Sequence, residues 1–475
     1  MYDVLIIGCG VTGAACAYAL SHYELNVCVI EASNDVANGT SKANSAIIHA
    51  GYDPAPGSLM ARLNVDGNAM AGDICRRLDV PFKRIGSLVL GFSEADKNHL
   101  RRLCERGVAN GVPNIQLLTA EEVKAMEPNV ADNVVGALYA PSAGVICPWE
   151  YTLAMAETAV KNGTELHLCT KAEDIEYIGG AYRVTTNKGV FEARYVISAV
   201  GVYADSFRSK LEKPDYKIVP TRGQYFLLDK SEGGTVNHVI FQCPDEKGKG
   251  VLVSPTVHGN LIVGPDAEKT EADDLAVSAE GLAKIAETAR RSVPGLNVRA
   301  NIRNFSGVRA NSDRDEFIIE ESAFYPHFID LAGIKSPGLS AAPAIAEYVL
   351  DMIFSGGVLR PVPRENYVDS RRRLRFNELN HEERAALVAE NPAYGRIVCR
   401  CETVTEGEIV NALHEPIPPL SINAVKRRCG AGMGRCQGGF CSGVVHELIS
   451  RELGIAMEDI PMEEPGSYIL VREGE

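Results

Sequence analysis

Asp3 to Ile7 is a short apolar run that passes directly into Gly8-Cys9-Gly10-Val11-Thr12-Gly13, and no other junction constrains the fold of this chain as tightly. Ala14 to Leu20 then reads as a helix, and a second apolar run, Asn26 to Ile30, ends in Glu31. Strand, G-x-G-x-x-G, helix, strand and acid, in that order, form the unit that holds a dinucleotide. Gly8 permits the tight turn, Gly10 lets the backbone approach a pyrophosphate, and Gly13 lets the helix pack on the strand. Thr12 lies in the same loop. The pyrophosphate belongs at the positive helix N-terminus, and Glu31 is placed to accept hydrogen bonds from a ribose.

The fingerprint alone does not separate NAD from FAD. Gly39 to Tyr52 follows as a small-residue, hydroxyl-rich segment. Ala193 to Gly201 is a later strand ending in glycine. Phe328 to Gly333 is another, and it precedes Ser336-Pro337-Gly338-Leu339-Ser340 and an alanine-rich helix. Three separated glycine-ended segments suit a long, two-part cofactor better than NAD.

The length of 475 residues suggests two or three domains. A formal charge of −14 argues against a nucleic-acid partner. No apolar stretch is long enough to span a bilayer. The first residues lack the basic segment and cleavage site of a signal peptide. The expectation is a cytoplasmic protein with no membrane anchor of its own, membrane-associated only through a partner subunit.

On these blocks the chain resembles the D-amino-acid-oxidase-like superfamily of FAD enzymes, most closely its glycerol-3-phosphate dehydrogenase branch. The match covers about residues 1–370, and Ser41 to Tyr52 and Ala332 to Ala346 carry it. The resemblance implies an α/β fold: a Rossmann-like FAD-binding domain with an inserted antiparallel substrate domain. The flavin domain is expected from residues 1–75, 150–204 and 306–358, and the substrate domain from 76–149 and 205–305. FAD contacts are expected at Gly8, Gly10, Thr12, Gly13, Glu31, Thr40, Ser41, Asn44, Ser45, Gly201, Gly338, Leu339 and Ser340. Ala172, just after the strand Glu165–Cys169, is expected at the adenine.

Oxidation of an anionic alcohol needs a cation for the anion and a base for the hydroxyl proton. Arg309, in Ser306-Gly307-Val308-Arg309-Ala310, suits bidentate binding of a phosphate or carboxylate, and the family has a substrate arginine in a matching block. The alternative is an interdomain salt bridge. His49 lies where the family approaches the flavin ring, or is a packing histidine. His258 falls in a hairpin turn, where exposure is ordinary, yet its Ser-Pro-Thr-x-His-Gly setting matches the family's substrate-side strand. Lys335 faces either the substrate anion and flavin or solvent.

From Leu359 the composition changes. Residues 359–395 read as a linker with Arg371-Arg372-Arg373 as a solvated basic face, and Glu382 to Glu390 as a short charged helix. Eight scattered cysteines in the first half read as small buried hydrophobes. The other five fall between Cys399 and Cys441. Cys399 and Cys401 form one tight pair and Cys436 and Cys441 another, with an expected helix Thr405–Leu413 between them and Val444–Leu453 after. Four such thiolates can converge on one metal centre, with structural zinc as the competitor to iron and sulfide.

Residues 396–455 resemble the bacterioferritin-associated ferredoxin-like [2Fe–2S] domain, as found fused to anaerobic glycerol-3-phosphate dehydrogenase large subunits. The match implies a small helical domain with Cys399, Cys401, Cys436 and Cys441 as ligands and Cys429 as a bystander. Residues 456–475 follow as a tail. Lys426, Arg427, Arg428 and Arg435 are expected to offset the cluster's negative charge. A flavin takes a hydride and an iron–sulfur centre passes single electrons. The expected function is therefore FAD-dependent oxidation of sn-glycerol 3-phosphate to dihydroxyacetone phosphate, delivering electrons to an acceptor protein or quinone-linked subunit. The alternatives are an L-2-hydroxyacid dehydrogenase of the L-2-hydroxyglutarate kind, or an electron-transfer component without its own organic substrate.

Overall fold

The computed structural model describes residues 1–244 and 250–471. Residues 245–249 of the expected substrate domain and 472–475 of the expected tail lie outside the described residues. Tyr2–Ile7 is the central strand of an eight-stranded sheet. It pairs in parallel with Val27–Ile30 on one side and with Gly189–Ser198 on the other. Glu165–His167 extends the sheet beyond Val27–Ile30, and Phe328–Ala332 pairs in parallel with the far half of Gly189–Ser198. Such strands are covered on both faces, which is why Val4 to Ile7 and Val27 to Ile30 are apolar without alternation.

Helix Val11–Leu20 packs against both Pro148–Lys161 and Gly338–Ser355. Their small faces, Ala14, Ala15, Ala154, Ala341, Ala342 and Ala346 among them, form the main core with Val4, Ile6 and Ile197. Close approach is obligatory at Gly13, where a Cβ would lie 2.0 Å from the Gly8 carbonyl oxygen.

The second sheet has nine strands and is antiparallel apart from the parallel pair Ser87–Gly91 and Val239–Gln242. Three of its strands are Ile218–Leu228, Leu252–Pro255 and Leu261–Gly264. Asn301–Ser312 pairs along the whole of Ile218–Leu228, so it crosses the 305/306 boundary expected between the flavin and substrate domains.

Residues 359–395 are bound to the body of the protein. Helix His381–Glu390 forms as expected, with Asn380 and Glu383 closing a capping box. The basic run corrects the expectation of a solvated face. Arg371 is buried, with Nε 2.6 Å from Glu157 Oε2 on helix Pro148–Lys161, and Arg373 lies 3.2 Å from Glu415 of the last domain. The buried Glu157 carboxylate and the half-buried Glu415 carboxylate require these guanidiniums as counter-charges. Only Arg372 is exposed.

The last domain is a two-stranded ribbon, Ile397–Cys399 with Val404–Thr405, and helices Glu406–Leu413, Ile422–Cys429 and Ser442–Leu453 around their own core. Thr405 caps the first helix, its hydroxyl accepting from the Glu408 N–H while Glu408 accepts from the Thr405 N–H.

Candidate functional site

The first helix begins at Gly10 with no side-chain cap and no acidic residue in its first turn. Helix Gly338–Ser355 begins at Pro337 in the same condition. Uncapped N-termini of this kind leave N–H donors and positive dipole ends for an anion or a polar ring edge. Gly8, at φ +99°, lets the turn press against the end of the neighbouring strand, since a Cβ there would lie 2.6 Å from the Ala199 oxygen. The Glu31 carboxylate accepts from the Cys9 N–H at 2.7 Å and the Ser33 N–H at 2.8 Å. Burial raises its pKa, and these two donors oppose the rise. These groups fit a dinucleotide with its ribose at Glu31.

Of the first hydroxyl-rich block, Ser41 Oγ accepts from the Val11 N–H at 2.8 Å, at the helix N-terminus. Thr40 Oγ1 donates to the Val308 carbonyl at 2.6 Å, Asn44 closes a local turn on Thr40 and Ser41, and Ser45 lies 3.1 Å from the Tyr225 hydroxyl. The segment is thereby fixed to the strand that carries Arg309. Gly307 permits this, because a Cβ there would lie 1.9 Å from the Ala43 oxygen. Gly201, at φ +61°, opens the turn after Gly189–Ser198. Ala172 begins the strand Ala172–Ile178. Leu339 and Gly338 form the first turn of the last flavin-block helix. The Ser340 hydroxyl is turned inward, accepting from the His49 N–H at 2.7 Å.

His49 is held from several sides. Its carbonyl accepts from Asn64 and Asn68 at 2.8 and 3.0 Å, and its Nε2 lies 3.2 Å from Ser336 Oγ. Phe241 of the second sheet stacks on its ring at 5.9 Å. Asn64 and Asn68 are residues that the sequence did not point to, and Ser336 was legible only as part of the last flavin block. Arg309 lies opposite Thr221 in the sheet, its Nη2 donating to the Asp266 carbonyl at 3.2 Å. A Cβ on Gly223 would fall 2.4 Å from that nitrogen, so glycine makes room for the guanidinium. Lys335 is paired with Asp315 at 2.8 Å, and Asp315 is almost fully exposed.

His258 occupies an exposed turn between Leu252–Pro255 and Leu261–Gly264. Its ring, the Cys147 thiol and the Glu150 carboxylate place ligand atoms within 4.8 Å of one another. Glu150 is already matched by Arg375 at 3.3 Å and Arg373 at 3.6 Å, and burial pushes the Cys147 thiol pKa well up. Neutral thiol and paired carboxylate make this a polar contact rather than a cation site.

The four cysteines of the last domain fall into two pairs. Cys401 Sγ and Cys436 Sγ lie 3.6 Å apart at the surface, while Cys399 and Cys441 are buried and in thiol contact. The Cys441 S–H holds the Cys399 thiol down at about 6 against burial, aided by the N–H groups of Gly432, Glu402 and Cys401. Two thiolates on one tetrahedral metal lie about 3.8 Å apart, and a single zinc would bring all four to that spacing. Among the described residues no three of these sulfurs lie mutually within 4.8 Å. Two pairs suit two bridged irons. Cys429 hydrogen-bonds the Val425 carbonyl at 3.4 Å within its own helix, and burial raises its pKa to about 12.

The basic residues beside the cysteines correct a second expectation in part, at Arg427 and Arg428. Arg427 and Arg428 are committed to Asp35 of the flavin domain, and Arg435 is committed to Asp229. Two keep a place at the cluster: Arg435 adjoins Cys436 and feels the Cys401 charge, and Lys426 donates to Gln437 at 3.0 Å and feels that of Cys441.

Residues 3–352 match the DAO family, FAD dependent oxidoreductases, and residues 397–451 match the BFD-like [2Fe-2S] binding domain. The chain belongs to the DAO family of FAD-dependent oxidoreductases and carries a [2Fe–2S]-binding domain of the BFD-like kind. It is similar to the glycerol 3-phosphate dehydrogenase of Caloramator mitchellensis, with 51% identity over 472 residues, 99% of this chain and 98% of that protein. A glycerol 3-phosphate oxidase of Mycoplasma genitalium is 34% identical over 74% of this chain and 94% of its own length. Among solved structures, the L-alpha-glycerophosphate oxidase of Mycoplasma pneumoniae with FAD bound superposes with a TM-score of 0.73 at 32% identity, covering 78% of this chain and 98% of that one. Among the described residues no helix is long and apolar enough to cross a membrane.

Proposed function

We propose that the chain oxidises sn-glycerol 3-phosphate to dihydroxyacetone phosphate and passes the electrons through its [2Fe–2S] centre to a separate acceptor protein or quinone-linked subunit. The observation that carries this reading is the 51% identity to a glycerol 3-phosphate dehydrogenase along 99% of the chain, flavin domain and cysteine domain together. Bound FAD supplies a two-electron hydride acceptor. Arg309 binds the substrate phosphate through its free guanidinium face, oriented by the Asp266 carbonyl. His49 takes the hydroxyl proton at Nε2, the nitrogen that faces Ser336, by exchanging its Ser336 hydrogen bond for the substrate hydroxyl. His258 is the competing base. Lys335, tied to Asp315, adds positive potential at the rim. Cys399, Cys401, Cys436 and Cys441 would hold the cluster, the first and last from the buried side and the other two nearer the surface.

A second reading, oxidation of an L-2-hydroxyacid, is favoured by relatives such as the L-2-hydroxyglutarate dehydrogenase of Arabidopsis thaliana, 26% identical over 73% of this chain. Anaerobic mixing with each substrate separates the two. Bleaching of the flavin by glycerol 3-phosphate alone supports the first reading, and bleaching by L-2-hydroxyglutarate alone replaces it with the second.

A further inference from the structure

The adenosine end of the flavin site lies under the far end of the chain. Residues 33–42 leave Glu31 and run to Ser41 at the first helix N-terminus, and most of their polar side chains face the last domain. Asn34 Nδ2 donates to the Glu463 carbonyl at 2.7 Å, Asn38 Nδ2 to Glu464 Oε1 at 2.8 Å, and Lys42 Nζ to Glu463 Oε1 at 2.9 Å. Asp35, buried, takes both Arg427 and Arg428. Glu464 comes close enough to Glu31 for its charge to add to the upward pKa shift that burial imposes there.

The covering piece is built to hold this position. Residues 462–467 form a compact turn, with the Met462 N–H on the Ser467 carbonyl at 2.7 Å and the Glu463 N–H on Ser467 Oγ at 3.0 Å. Asn423, in helix Ile422–Cys429, donates its backbone N–H to Met462 and its side chain to Glu463 Oε2 at 2.6 Å. The same helix supplies Arg427 and Arg428 to Asp35. Three residues past its last turn, the Gly432 N–H points at Cys399 Sγ at 3.5 Å.

We infer that the turn at residues 462–467 is part of the FAD site: a strap, carried by the iron–sulfur domain, that closes the loop 33–42 over the adenosine half of the cofactor and slows its release. The inference rests on FAD occupying the cradle at Gly8–Gly13 with its ribose at Glu31. The match to the FAD-dependent oxidoreductase family ends at residue 352, so the strap lies outside the flavin fold that the family defines.

The test is FAD release from the full-length, cluster-loaded protein after dilution, followed by the rise of flavin fluorescence. The variants are a chain ending at Ile460, the double variant Glu463→Gln with Glu464→Gln, and Glu31→Ala as reference. The truncated chain should release FAD about tenfold faster or more, the effect of losing one or two charge-assisted hydrogen bonds. The double variant should move in the same direction with iron and sulfide content unchanged, and it decides the matter if the truncated chain does not fold. Release from the folded variants within about twofold of the parent overturns the strap. Fast release from the strap variants with an unchanged rate for Glu31→Ala overturns the ribose placement, and with it the claim that the strap covers the adenosine half.

Discussion

Arg428 places its two terminal nitrogens on the two carboxylate oxygens of Asp35, at 3.0 and 2.9 Å, with both side chains shut off from water. One end of this fork belongs to the loop that follows the ribose acid, the other to the helix that leads into the cysteine site. Its remaining donors reach the Ile417 and Ala424 carbonyls. A guanidinium with every direction filled is a rigid connector between the two redox domains.

Replacing Asp35 by Asn leaves Arg428 buried without a counter-charge. Removal of one partner of such a pair costs about 3–5 kcal/mol. The expected result in denaturant is separate unfolding of the iron–sulfur domain, followed by loss of its visible absorption, ahead of the flavin domain. A single transition at the parent midpoint would mean that the fork does not hold the domains together.

His49→Ala should slow single-turnover flavin reduction by about 10²–10⁴-fold with flavin content unchanged, the usual contribution of a general base. His258→Ala should leave that step within about tenfold of the parent. The reverse ranking would transfer the base to His258.

Arg309→Met should raise KM for the phosphate substrate by about tenfold or more, since a charge-assisted hydrogen bond is worth about 1.5–3 kcal/mol. Arg309→Lys should restore only part of it, because an ammonium lacks the planar fork. A KM equal to the parent's in Arg309→Met would remove the phosphate from this residue.

Serine in place of Cys399, Cys401, Cys436 or Cys441 should lower iron and labile sulfide in the purified protein, most severely at the buried pair. Cys429→Ser should keep both in full, because that thiol is spent on the Val425 carbonyl. Loss of sulfide in Cys429→Ser alone would reassign the ligand set. Equimolar zinc without sulfide in the anaerobically purified parent would replace the cluster.

The nucleotide fold was legible because its determinants are local: strand, glycines, helix and acid all lie between Asp3 and Glu31. The cysteine domain was legible for the same reason, with each pair close in sequence and a helical stretch between them. What could not be read is the pairing of distant residues. Asp35 and Arg428 are 393 positions apart, His49 and Ser336 are 287 apart, and Arg371 and Glu157 are 214 apart. A run such as Arg371-Arg372-Arg373 looks solvated in isolation, because burial of a charge is decided by its counter-charge. Glu157, Glu150 and Glu415 become visible as those counter-charges only once the chain is folded.

The most direct test of the central claim is anaerobic addition of sn-glycerol 3-phosphate to the cluster-loaded protein, with absorbance following the flavin and paramagnetic resonance following the iron. The account predicts that the flavin bleaches and that the signal of a reduced [2Fe–2S] centre then appears, without any added mediator. A flavin that stays oxidised with glycerol 3-phosphate, while the chemically reduced protein still shows the cluster signal, would contradict it.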